Sequence, residues 1–403
     1  MYTQEEVLDF VREEDVKFIR LAFFDLSGKQ KNISIMPGEL ERAFEHGIPF
    51  DASAVEGFEG PQKSELYLLP DPSTLAIIPW RPATGKVVRM FCNILNPDGT
   101  PYAKDSRTIL QNACQRLKDE CGIEMMVGTE VEFYLFKLDE KGNPTTETFD
   151  KAGYMDIAPE DHGENIRREI CFTLEQMGIT PEASHHEEGP GQNEIDFHYS
   201  DALTAADNVA TFKWIVNTKA ASNGLYSDFS PKPIAGEAGN GMHINISYRT
   251  LAGKTVSSDN LLPYILGGIL KHIEEMTYYL NPADNSYNRL GASKAPEYIS
   301  WGKENRSTLI RLPSSKNTQR LELRSPDPLC NTYLALTLII NAAIEGIKNK
   351  IEPPAATEEN LFDEEIAKHT SLKALPKSLA EAKRIAENSS FVKAALGPVV
   401  DCI

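Results

Sequence analysis

The stretch GTEVEF, residues 128 to 133, puts Glu130 and Glu132 on one face of a strand and Val131 and Phe133 on the other, because side chains alternate along an extended chain. Two carboxylates held side by side repel, and each raises the other's pKa unless a cation or an arginine lies between them. A solvated acidic strand is the competing reading of this stretch taken alone. Three further segments repeat the pattern. In NEIDFHY, Glu194, Asp196 and His198 share a face; in MHINIS, His243, Asn245 and Ser247 do; in QRLELRS, Arg320, Glu322 and Arg324 do. A solvent-facing sheet more typically mixes in Lys and Thr, so faces of Glu, His and Arg point to a polar, ligand-binding interior. Carboxylates with a single imidazole suit hard cations such as Mg2+ or Mn2+. The absence of a Cys-rich or His-pair pattern argues against structural zinc.

HHEEGPGQNE adds Glu187 to Glu194 across a Gly-Pro-Gly turn that can bring both carboxylates to one ion. His185 and His186 beside them read equally as packing, as support or as ligands. Arg289, Arg306 and Arg311 collect near the Glu322 segment, where guanidinium groups can clamp a carboxylate or phosphate through paired hydrogen bonds. Surface ion pairing competes with that reading for any one of them. Carboxylates for two metals beside several arginines are the equipment of phosphoryl transfer, in which catalysis is mostly positioning and charge neutralisation.

These groups need a large scaffold, and 403 residues allow two or three domains. A formal net charge of -18 argues against nucleic acid or an anionic membrane as partner. An anionic substrate therefore needs a local arginine cluster or metal ions. The start, MYTQEEVLDFVREEDV, is acidic with no apolar core, unlike a secretory signal or transit peptide, and LALTLIINAAIEGI is too interrupted and short to span a bilayer. Six cysteines without a CxxC pair fit a reducing cytoplasm.

The chain reads as α+β. TQEEVLDFVREED is an amphipathic helix, VKFIRLAFFDLSGKQKNISI a hairpin around Ser27 and Gly28, and STLAIIPW and KVVRMFCNIL are strands. The turn at Pro97, Asp98 and Gly99 marks a boundary between a small domain, 1–100, and a large one, 101–403, which opens with a helix from Ser106 to about Cys121. The small domain is expected to pack on the large one or on a neighbouring chain. GKT at Gly253 to Thr255 is a chance match to a phosphate loop, because the first glycine of that motif would fall on Tyr248.

Taken in order, FDASAVEGF, LLPDPSTLAIIPW, GTEVEFYLF, HHEEGPGQNEIDF, PKPIAGEAGNGMH, NPADNSYNRL, NRSTLIRLP and RLELRSPDPLCNTYLAL resemble the glutamine synthetase family of the bacterial type, nearly collinearly to about Ile351. The resemblance implies an N-terminal β-grasp domain on a catalytic domain whose curved antiparallel sheet forms half a barrel. It implies rings of subunits with each active site between the small domain of one and the large domain of the next. Glu132, Glu187 and Glu194 look like ligands of a first metal and Glu130, His243 and Glu322 like those of a second, so the opening pair of glutamates would serve two ions whose charge keeps both ionised. The implied reaction joins glutamate and ammonia at the expense of ATP through a γ-glutamyl phosphate. Arg289, with Gly239, looks like the glutamate site. Arg306 and Arg324 look like stabilisers of the transferring phosphate, and Arg311, Arg320 and Ser247 like nucleotide contacts. Asp51 and Ser53 match the ammonium site, where Asp51 would help deprotonate the incoming nitrogen.

Three departures bear on the acceptor. Members of the family carry a glutamate just before Ala-Pro in the flap; here RLGASKAP is one residue shorter and presents Lys294, a charge that repels ammonium. AGNGMH has Ala238 in place of an asparagine that contacts glutamate, and the chain stops at Cys402 and Ile403, before the family's tail, which leaves single rings open. The expectation is thus a glutamate-ammonia ligase, with a γ-glutamyl amide synthetase using an organic amine, or an impaired regulatory relative, as alternatives.

Overall fold

The computed structural model describes residues 2–81, 84–251, 260–314 and 319–402. GKT at 253–255 lies outside the described residues. The first helix, Gln4–Glu13, begins where Thr3 and Glu6 cap each other's backbone amides, and it buries Val7 and Val11. Val16–Phe24 and Gln30–Ile35 form the expected hairpin, with Gly28 at φ 80° in its turn. Val16–Phe24 also runs parallel to Lys86–Leu95, which is followed outward by Glu65–Pro70 and Ile48–Asp51. This is the β-grasp arrangement. STLAIIPW is not a full strand: only Ala76–Ile77 pairs, because Asp71 caps a 3-10 turn over Pro72–Thr74 and breaks the run.

The large domain is built on one sheet in the order Trp301–Lys303, Ile310–Leu312, Leu321–Leu323, Met242–Thr250, Ile123–Leu138, Gln192–Phe197 and Pro181–His186. The GTEVEF segment lies in the middle of its longest strand, 16 residues, which also pairs Leu225–Asp228, Ser200–Asp201 and Pro144–Thr148. All these pairings are antiparallel except the outermost, between Trp301–Lys303 and Ile310–Leu312. The sheet curls into half a barrel. Its outer face, with Val131, Phe133, Ile195, Ile244, Ile246 and Leu321, is completely buried under helices, Phe133 meeting Phe212 at 6.0 Å. Burying such side chains stabilises by about 1.5–3 kcal/mol each, which fixes the register, since a slip of one residue would drive the carboxylates into this core.

Helix Ser106–Cys121 starts on the Asp105 cap and ends in the left-handed Gly122. Leu262–Leu280 and Thr332–Asn349 cross at a pair of glycines, where a Cβ on Gly268 would stand 2.1 Å from the Ala342 carbonyl. None of the described helices is long and apolar enough to cross a membrane. Among the described residues the stretch after Pro354 carries three short α-helices and a final 3-10 turn, and Phe391 of the Ser390–Leu396 helix stacks on His272 at 3.8 Å.

The domains are locked together by a buried charge network. Arg107 donates to Asp207 at 3.1 and 2.9 Å in its own domain, and to Asp71 at 2.8 Å and Asn93 at 2.8 Å in the small one. Tyr333 adds a 2.6 Å bond to Asp207. Breaking such a pair strands a buried charge, at a cost of about 3–5 kcal/mol. Arg107→Met should therefore lower the thermal midpoint by several degrees, and a midpoint within one degree of wild type would show that the network does not hold the junction.

Candidate active site

The inner face of the half barrel gathers the polar residues that the strand alternation singled out, except His198, which lies exposed just past the end of Gln192–Phe197, where a register shift at Asp196 breaks the alternation. Sheet register sets His243 opposite Glu130, Glu194 opposite Glu132, Asp196 opposite Glu130, and Asn245 opposite Glu322. Two clusters result. Glu130, His243 and Glu322 bring ligand atoms within 4.8 Å of one another, and so do His185, Glu187 and Glu194.

In the first cluster, Glu130 accepts from His243 Nδ1 at 3.1 Å and from Asn245 at 2.8 Å. Glu322 is fully buried between Arg311 and Arg324, the latter donating at 2.7 Å. Burial pushes Glu130 up, but the His243 and Asn245 hydrogen bonds and Arg324 outweigh it and bring the carboxyl down to about 2. Glu322 is likewise lowered: burial is overcome by His243 and the two guanidinium groups, against the repulsion of Glu130. His243 itself is lowered by burial and Arg324 despite its carboxylate neighbours, which leaves a neutral imidazole with a lone pair, the form that ligates metals.

The second cluster lacks such cations. His185 Nε2 lies 2.9 Å from Glu187 and 3.8 Å from Glu194. Glu132 stands apart from that group: its Oε2 accepts from the Gly241 amide at 2.8 Å and the Gln192 amide at 3.1 Å. Burial first, then the charge of Glu187, raises Glu132 to about 8, and burial and Glu132 raise Glu194 well above the carboxylate range. Asp196 rises to about 7 through burial and Glu130, and its Oδ1 is buried with no hydrogen-bond partner. Carboxylates kept anionic beside a neutral imidazole at Glu130, His243 and Glu322, and carboxylates that resist ionisation at Glu132 and Glu194 beside Glu187, His185 and the orphaned Asp196 oxygen, are donor sets that could hold divalent cations.

The two histidines divide their roles. His185 faces the cluster, whereas His186 is buried between Asp150, 2.9 Å from Nε2, and the Glu187 carbonyl, 2.7 Å from Nδ1, and so fixes the backbone that carries Glu187. Gln192 is a contact that the sequence does not signal, Asp196 lies on the face that the strand alternation gives it, and of the readings open for His185 the structure places it among the cluster carboxylates.

Arg289 is buried, held by the Ser325 and Arg324 carbonyls at 2.8 and 3.1 Å. It lies across the glycine loop so tightly that a Cβ on Gly239 would stand 2.9 Å from its Cγ, and one on Gly241 2.6 Å from its Nη2. The neighbouring Ala238 carbonyl accepts from Tyr134 at 2.6 Å. Arg320 donates to Asn245 at 2.8 Å, although the strand spans only Leu321–Leu323, and Ser247 follows on the same face. Arg306 is exposed and makes no hydrogen bond or ion pair among the described residues. Lys294 pairs with Glu188. Asp51 and Ser53 stand apart from both clusters, exposed on the small domain and bonded to each other at 2.6 Å.

A β-grasp domain joined to a half barrel with two facing carboxylate clusters and a wall of arginines defines a class of metal-dependent ligase. The family model of the glutamine synthetase catalytic domain matches residues 103–400, and that of the glutamine synthetase beta-Grasp domain matches residues 15–97. A glutamine synthetase of Methanosarcina mazei is 47% identical over 407 residues, covering 98% of this chain and 91% of that protein. One of Clostridium saccharobutylicum is 44% identical, covering 98% and 92%. Among solved structures, a GmaS/ADP complex matches with TM-score 0.89 at 27% identity over 98% of this chain and 93% of that one. Plasmodium falciparum glutamine synthetase matches with TM-score 0.86 at 25% identity, covering 99% and 94%. The chain belongs to the glutamine synthetase family, and it is an enzyme, a ligase.

A carboxyl whose pKa rises on folding stabilises the protein below its ordinary value and loses that contribution as pH climbs to the raised one. For Glu132 the window runs from 4.5 to about 8. A cation that displaces the proton should restore stability, so the gain in melting temperature on adding Mg2+ is expected to be larger at pH 8 than at pH 6. Equal gains at both pH values would count against cation binding at Glu132 and Glu194.

Proposed function

We propose that the protein joins ammonia to glutamate with hydrolysis of ATP, in a cleft whose carboxylate clusters hold two or more Mg2+ or Mn2+ ions. The two facing carboxylate clusters of the inner sheet, one of them paired with Arg311 and Arg324, carry this reading. Such ions supply charge neutralisation of the phosphates. Glu132, Glu187 and Glu194 would hold one, and Glu130, His243 and Glu322 the other.

Arg289 would clamp the glutamate α-carboxylate, its guanidinium already oriented by two carbonyls. The γ-carboxylate oxygen attacks the γ-phosphorus of ATP, the bond to ADP breaks, and a γ-glutamyl phosphate forms. Arg324 and Arg306 would neutralise charge on the transferring group, with Arg311, Arg320 and Ser247 toward the nucleotide. The amine nitrogen then attacks the acyl carbon, phosphate leaves, and Asp51 with Ser53 takes the proton. Those two residues lie outside the cleft of their own subunit, which fits a ring-shaped homo-oligomer in which a neighbour's small domain, residues 1–100, completes the site on residues 101–403. The site is expected to work in the cytoplasm, without nucleic acid or membrane.

A second reading, amide synthesis from an organic amine, is favoured by Lys294 on the flap. The test is phosphate release from ATP and Mg2+. Release requiring glutamate and ammonium together is the expected result; release driven only by organic amines would move the protein to the second reading, and none with any acceptor would remove both. Glu132→Ala should abolish turnover, and Arg289→Ala should lower kcat/KM for glutamate about 10–100-fold, the loss of a charged hydrogen-bonded pair. Undiminished turnover in Glu132→Ala would overturn the metal assignment.

A further inference from the structure

Lys294 would leave an uncompensated cation at the cleft mouth were it not for its partner. Its side chain is 63% exposed and pairs with the carboxylate of Glu188, which is 33% exposed. The pair joins two walls of the cleft. Lys294 belongs to the turn after Arg289, where Gly291, Ser293 and Lys294 take φ of 78°, 42° and 63°. Two non-glycine residues in the left-handed region cost on the order of 1 kcal/mol each. The turn keeps that shape because the Arg289 carbonyl accepts from Ala292 at 2.9 Å, the Ala292 carbonyl from Ala295 at 3.0 Å, and the Lys294 carbonyl from Arg324 at 3.4 Å. Glu188 is on the opposite wall, directly after Glu187, and its amide donates to the Glu187 carboxylate at 2.9 Å.

An exposed ion pair contributes about 0–1 kcal/mol, too little to keep a flap shut. Its effect on charge is larger. Glu130 and Glu322 are taken up by His243, Asn245 and the arginines, and Glu132, Glu187 and Glu194 belong to the cation-binding face. Glu188 belongs to neither cluster. Ammonia and alkylamines reach the cleft at neutral pH as cations, and Glu188 is a carboxylate at its mouth that the ligand clusters do not claim.

We propose that Glu188 is a specificity-determining residue, the carboxylate that draws a cationic amine to the cleft mouth, with Lys294 positioning it and setting how much of its charge the amine meets. This rests on the ligase reading above. Charge capture separates from shape when two acceptors are compared: ammonium is a cation, whereas hydroxylamine is uncharged at neutral pH. Glu188→Gln in the full-length protein should raise the ratio of the ammonium KM to the hydroxylamine KM roughly 3–10-fold, and Lys294→Met should lower it, both effects shrinking at high salt. A ratio unchanged in both variants, or a Lys294→Met ratio that rises, would overturn the proposal while the ligase reading stands. Wild-type protein that releases phosphate with neither acceptor would remove that reading and the proposal together.

Discussion

Five carboxylates on one concave sheet face cannot all be ionised without a compensating charge, and the rest of the molecule is arranged around that constraint. On one side the compensation is built in: Arg311, Arg324 and the amide of Asn245 hold Glu322 and Glu130 as anions. On the other it is too weak: at Glu132 burial and Glu187 outweigh Arg289 and the Gly241 amide, at Glu194 burial and the other carboxylates prevail, and both favour the protonated form. The asymmetry leaves one half of the cleft anionic and the other inclined to hold its protons.

The outer face of the same strands explains how this tension is tolerated. Val131, Phe133, Ile195, Ile244, Ile246 and Leu321 are each completely buried, with Phe212 of the Ala202–Ser222 helix against Phe133, and this burial sets the register that holds the acids in place. Repulsion between carboxylates is thereby opposed by apolar burial one residue away along the same strands. The glycine loop works in the same direction, since glycine at 239 and 241 lets Arg289 pack against the loop whose Gly241 amide donates to Glu132.

The flap completes the charge balance at the cleft mouth. A lysine in place of a carboxylate reads from the sequence as an electrostatic obstacle to ammonium. In the folded chain its charge is taken up by Glu188, on a loop more than a hundred residues earlier.

The sequence by itself determined the alternation, and with it the identity of nearly every inner-face residue: Glu130, Glu132, Glu194, His243 and Glu322 follow from period-two patterning because burial of the intervening apolar residues leaves no other face for them. It also determined the Gln4–Glu13 and Ser106–Cys121 helices and the Gly28 hairpin, whose caps and turn glycine are local signals. Tertiary structure alone decided which acids share a cluster, since that depends on strand order: Glu130 pairs across one neighbour with His243 and across the other with Asp196. It separated the adjacent His185 and His186 into a cleft residue and a backbone support, shortened STLAIIPW through a capped turn, joined the domains through Arg107, and brought Lys294 to Glu188. Each of these is a contact between segments distant in the chain or a competition between a local cap and a strand, and period and composition carry no information about either.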